Sequence, residues 1–147
     1  MPRADYYIIS ASDYDSRERL ACQLSERALR AGQRVHIHTL NDSDMNQLDQ
    51  SLWNFRPDSF VPHALMGSQI SAPITLGNHS LPDNLQSIDV LINLGKEPLP
   101  GSEKIARNIE IVSQADDVLS ATRHSYLERK SAGWELHRHD MRTQQAP

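Results

Sequence analysis

Val90-Leu91-Ile92-Asn93-Leu94 is the stretch on which the fold turns. It is nearly continuous in apolar side chains, where a half-exposed strand would alternate with polar ones. That pattern fits a strand covered on both faces, as in parallel sheets flanked by helices. Working outward, Ile109-Glu110-Ile111-Val112, Arg34-Val35-His36-Ile37-His38, Tyr6-Tyr7-Ile8-Ile9 and Ile74-Thr75-Leu76 read as further strands. Helical spacing separates several of them. Leu20, Leu24 and Ala28 share a face of a helix from about Ser16 to Ala31, with Asp15 or Ser16 as cap and Gly32 as stop. Met45, Leu48 and Leu52 form the stripe of a second helix, capped by Asn41, Asp42 or Ser43 and reaching Trp53. A third runs from about Ala115 to Ala132, with Gly133 at its end. Strands alternating with helices imply one three-layer α/β domain over residues 1–142, with a mainly parallel central sheet. Residues 143–147 are expected to be a flexible tail, and about 54–73 an irregular connection.

At 147 residues the chain is long enough for one real core. It has no apolar run near the roughly 20 residues of a membrane span, and no signal-peptide stretch near Met1. The single cysteine, Cys22, forms no internal disulfide framework. Together these place the expected location in the cytoplasm. The net charge is −4, too acidic for strong direct binding to nucleic acid. Its distribution is uneven. Residues 1–115 carry ten Lys and Arg against fourteen Asp and Glu, whereas 118–142 carry five against three and add three histidines. A basic C-terminal patch on an acidic body suits an acidic peptide; an ordinary mixed-charge helix surface would read the same way.

The outline is Rossmann-like, but the loop after the first strand, Ser10-Ala11-Ser12-Asp13-Tyr14-Asp15, has no glycine. A phosphate-binding loop needs glycines so that backbone N–H groups can approach the oxygens. No nucleotide cofactor is expected. His36-x-His38 points two imidazoles to one strand face, and His137-x-His139 does so if extended. Spacing nominates no third ligand, so the histidines read as polar surface or edge-strand residues and no metal is expected. Use of these histidines by a small hydrolase or metal enzyme is the alternative function. Cys22, between Leu20 and Leu24, reads as a buried inert thiol, and no catalytic residue is assigned.

Two surfaces remain. Pro57 and Pro62 exclude a central strand or helix interior from Leu52-Trp53-Asn54-Phe55-Arg56-Pro57-Asp58-Ser59-Phe60-Val61-Pro62-His63. Its aromatics either pack on the core or serve as anchors. Trp53 lies about 100° from the centre of the Met45–Leu52 stripe, a flank position open to both uses. On the last helix Leu119, Arg123, Tyr126 and Lys130 fall within a strip about 60° wide, while Val118 and Thr122 face the sheet. That strip is either a groove for an acidic, aromatic-ended peptide or the solvated boundary of an amphipathic helix.

Leu52-Trp53 followed by Ser59-Phe60-Val61-Pro62-His63 resembles the central motif of the chi subunit family of bacterial DNA polymerase III. Further similarity follows in order at Ala72-Pro73-Ile74, Asp89–Leu94, Ile109–Val112, Arg123-x-x-Tyr126 and Gly133-x-x-Leu136. It spans Tyr6 to about His139. The resemblance implies a non-enzymatic replication adaptor, bridging the psi subunit of the clamp loader to the C-terminal tail of single-stranded DNA-binding protein. Carried across by position, it implies a psi-binding surface of Trp53, Phe60, Val61 and Pro62. It implies a tail-binding surface of Val112, Leu119, Arg123, Tyr126 and Lys130, with Gly133 nearby. One position departs: Leu119 stands where the best-known members carry a basic residue. Either Lys130 partly replaces that charge, or affinity for the tail is lower.

Overall fold

The computed structural model describes residues 2–54, 62–66 and 72–142. In chain order these form β1 (Arg3–Ile8), α1 (Tyr14–Arg30), β2 (Val35–His38), α2 (Asp42–Asn54), β3 (His63–Leu65), β4 (Ile74–Gly77), β5 (Val90–Asn93), β6 (Arg107–Val112), α3 (Asp116–Ser131) and β7 (Glu135–Asp140). Two short 3-10 turns, Leu85–Ser87 and Ser102–Lys104, flank β5 in sequence. The seven strands pair in the order β3-β4-β2-β5-β6-β1-β7, and every pairing is parallel. No helix among the described residues is long and apolar enough to cross a membrane.

Strand alternation divides the core into two faces. Tyr7, Ile37, Leu76, Ile92 and Ile111 pack under Leu20 and Leu24 of α1 and Leu48 and Leu52 of α2. On the opposite face Ala4, Tyr6 and Val112 meet Val118 of α3, with Leu119, Tyr126 and Leu136 at the margin. Beside that cluster, Leu91 packs with Ile88 and Ile105. The three layers expected from sequence are therefore present, and all four residues of β5 are buried.

The helix ends follow local chemistry. Asp13, rather than Asp15 or Ser16, caps α1: its carboxylate accepts from the Ser16 N–H at 3.0 Å. A carboxylate thus occupies the positive end of the helix, where a Rossmann enzyme would hold phosphate. Asn41 caps α2 through Oδ1, which accepts from the Asp44 N–H at 2.8 Å. Gly32 and Gly133, at φ 77° and 85°, supply the left-handed turns after α1 and α3.

Three expectations change. The connection from 54 to 73 contains a strand, β3, which pairs in parallel with β4. Glu135–Asp140, read only conditionally as extended, is an edge strand paired with β1 along its whole length. Both depend on a neighbour's ladder for their hydrogen bonds, so neither has a strong local signature. His36 and His38 are not surface or edge residues: β2 lies between β4 and β5, and both imidazoles are buried. A thiol in the core also loses acidity, and burial pushes Cys22 up to about 12.

Candidate functional site

Helix α3 lies across β6 and β7 and buries Val118, Ser125 and Arg129. Arg129 organises the layer beneath. Its guanidinium pairs with the carboxylate of Glu110 on β6 and donates to the Tyr6 hydroxyl at 3.2 Å. Tyr6 also shares a hydrogen bond with Ser125 Oγ at 3.2 Å. The Arg129 guanidinium carbon sits 4.6 Å from the centre of the Trp134 ring, within cation–π range. Burial raises the Glu110 carboxyl above its ordinary range, with Arg129 pulling the other way. The Tyr6 phenol is raised by burial as well. This network fixes the Tyr6 ring, and Tyr126 packs edge-on against it with ring centres 5.4 Å apart.

Above the network opens a cleft of about 560 Å³ between α3 and the β6-β1-β7 end of the sheet. Tyr6, Ile8 and Val112 line it from the strands, and Leu119, Thr122, Arg123, Tyr126 and Leu127 from the helix. Gln114, Arg138 and Arg142 complete the lining. Three of these residues are arginines and none is acidic, so the cleft favours an anion with an apolar part. Leu127, 64 % exposed, extends the apolar rim.

Four of the six residues expected at this surface come together here: Val112, Leu119, Arg123 and Tyr126. Lys130 and Gly133 do not line the cleft. Lys130 is an exposed residue of the last turn of α3, where a cation complements the carbonyl end of the helix. Gly133 serves the turn into β7. Sequence reading missed Arg138, Arg142 and the Glu110–Arg129 pair. The basic count over 118–142 registered the arginines, but only the pairing of β7 with β1 says where they stand.

The second surface lies at the opposite edge of the sheet. Leu52 is fully buried while its neighbour Trp53 is 47 % exposed, so the flank position on α2 is real. The Trp53 ring lies 4.7 Å from that of His63, tilted by 55°. His63 Nε2 stands 3.0 Å from Asp49 Oδ1, tying the start of β3 to α2. Pro62, partly buried, immediately precedes β3. Phe60 and Val61 lie outside the described residues. Six strand spacings separate the outermost strands, β3 and β7, which at about 4.8 Å each is roughly 29 Å. The helices carrying the two surfaces, α2 and α3, cover opposite faces.

The histidine pairs do not assemble a site. Three strands, β5, β6 and β1, stand between β2 and β7. His36 Nδ1 meets Thr75 Oγ1 at 2.7 Å, His137 pairs with Glu135, and His139 stacks on Tyr7 while bonding Asp5. Among the described residues no group of three His, Cys, Asp or Glu side chains could hold a metal ion.

The family model described as DNA polymerase III chi subunit, HolC, matches residues 1–137. The DNA polymerase III subunit chi of Pseudomonas aeruginosa is 33 % identical over 139 residues, covering 95 % of this chain and 96 % of that protein. The subunit of the same name from Haemophilus influenzae is 32 % identical over 138 residues, covering 90 % and 93 %. That of Escherichia coli is 26 % identical over 144 residues, covering 92 % and 96 %.

Proposed function

Because the chain belongs to the chi subunit family of DNA polymerase III, a component of DNA replication, we propose that it is a non-catalytic adaptor in the replisome. In this reading the α3–β7 cleft takes the acidic C-terminal tail of single-stranded DNA-binding protein. The Trp53 edge, with Phe60, Val61 and Pro62, takes the psi subunit of the clamp loader, and the work is done in the cytoplasm. The observation that carries the reading is the cleft itself. Val112, Leu119, Arg123 and Tyr126 converge on an apolar hollow whose charged lining residues are all cations. A guanidinium can grip a carboxylate while the tyrosines and aliphatic side chains hold a ring. The opposite-edge placement of Trp53 supports a bridge, since two partners could be held without competing. Less supports the alternative enzyme reading: three strands separate the two histidine pairs, and His36, His137 and His139 each bond within the fold.

Titration of a labelled tail peptide against wild type and Arg123→Ala tests the tail site. A lost charge-assisted bond is worth roughly 1.5–3 kcal/mol, so affinity should fall about 10- to 150-fold. Psi binding should not change. Equal tail affinities for the two proteins would mean that the tail docks elsewhere or not at all.

A further inference from the structure

We infer that Arg138 on β7 is the second cation of the cleft, facing Arg123 across it, and that the site reads two carboxylates on one acidic peptide end. This rests on the reading of the cleft as a peptide-tail site. Arg138 pairs in register with Tyr6, and Leu136, two residues earlier, packs in the cluster beneath α3. Residues two apart on a strand share a face, so Arg138 is turned toward α3. It lines the cleft from the sheet side while Arg123 lines it from the helix side. Neither makes a close ion pair among the described residues, though Asp140 feels the charge of Arg138 as well as that of Arg142, and both Arg123 and Arg138 are exposed.

The other cations near the cleft are differently engaged. Arg142 is held by Asp140 through two bonds, Nε to Oδ1 at 2.9 Å and Nη2 to Oδ2 at 2.7 Å. That pairing keeps the Asp140 carboxyl down at about 2, so it stays ionised and the Arg142 charge stays occupied. Lys130 stands outside the lining. The second charge of the cleft is therefore supplied from the wall opposite Arg123, not from further along the same helix. Two unpaired guanidinium groups flank the apolar surface of Tyr6, Ile8, Val112 and Tyr126. The ligand that fits has a ring with a carboxylate on either side. A peptide ending in an aromatic residue with a free terminal carboxylate, preceded by Asp or Glu, meets this description.

The probe is a labelled acidic peptide with a free C-terminal phenylalanine, together with its C-terminally amidated twin. Both are titrated by fluorescence anisotropy against wild type, Arg123→Ala, Arg138→Ala, Arg138→Lys and Lys130→Ala, with melting temperatures recorded. Arg138→Ala should melt like wild type and weaken the free-acid peptide about tenfold, as expected for one surface charge-assisted bond. Its affinity should also fall less steeply with salt, Arg138→Lys should recover part of the loss, and Lys130→Ala should stay within about twofold of wild type. Amidation should remove most of the effect of one arginine substitution, because that guanidinium has lost its partner. If Arg123→Ala weakens binding while Arg138→Ala matches wild type, the two-walled clamp is wrong and the tail site stands. A loss with Lys130→Ala in place of Arg138→Ala would move the second cation back to the helix. If wild type binds neither peptide, the tail reading itself falls.

Discussion

On the β6-β1-β7 side of the sheet the buried carboxylates are paired with cations; on the β4-β2-β5 side the buried titratable groups are histidines whose burial favours the neutral form. Burial alone would raise the Asp5 carboxyl, but bonds from Arg3, His139 and Arg107 outweigh it and hold it at about 2. Glu110 has Arg129. On the other side burial, with a small push from His38, lowers His36 to about 4, and Thr75 is its hydrogen-bond partner. The charged half carries the arginine cleft, and the half with neutral histidines ends at the Trp53 edge. The contrast teaches that the two surfaces rest on different physics. Perturbing charge should disturb one and spare the other.

The strongest way to break the comparison is Glu110→Gln. It leaves Arg129 buried without a counter-charge, a change that typically costs about 3–5 kcal/mol. Because Arg129 also holds Tyr6, the tail peptide should bind more weakly while psi binding persists in the fraction that stays folded. Urea denaturation measures the first effect. A loss below about 1 kcal/mol would show that the pair contributes little to the charged half.

Acid should separate the halves next. Unfolded His36 takes a proton near pH 6.5, whereas the folded side chain resists until about 4. Its contribution is thus complete above pH 6.5 and is lost as pH falls toward 4, to a total of about 3 kcal/mol. Asp5 behaves differently: its contribution is present above its ordinary 3.8 and is lost as pH falls through about 2. His36→Asn, which keeps an amide within reach of Thr75, should flatten the stability curve between pH 6.5 and 4 and leave the lower window unchanged. Identical slopes in the upper window would remove His36 as the cause.

The smallest effect expected is on the Trp53 edge. Trp53→Ala should weaken psi binding by about 2 kcal/mol or more, as interface aromatics do, with little change in melting temperature. The remaining psi affinity should respond less to salt than tail binding does. A drop of about 3–5 kcal/mol in stability with psi binding intact would instead make Trp53 a core residue.

Much of this molecule is legible along the chain because the signals are local. Val90–Asn93 is nearly continuous in apolar residues and lies inside the sheet. The spacing of α3 separates buried Val118 from Leu119, Arg123 and Tyr126, which border the cleft. A helix fixes the relative directions of its own side chains, so a strip can be drawn before any fold is known. What the sequence could not decide is what faces that strip. Strand β3 is three residues long, and β7 reads Glu-Leu-His-Arg-His-Asp; each is a strand only because β4 or β1 offers a ladder. The pairing of β7 with β1 turns Arg138 toward the cleft, and helix packing brings Arg129 to Glu110, 19 residues away in sequence. Those positions depend on which strands become neighbours, a property of the whole sheet that no local period encodes.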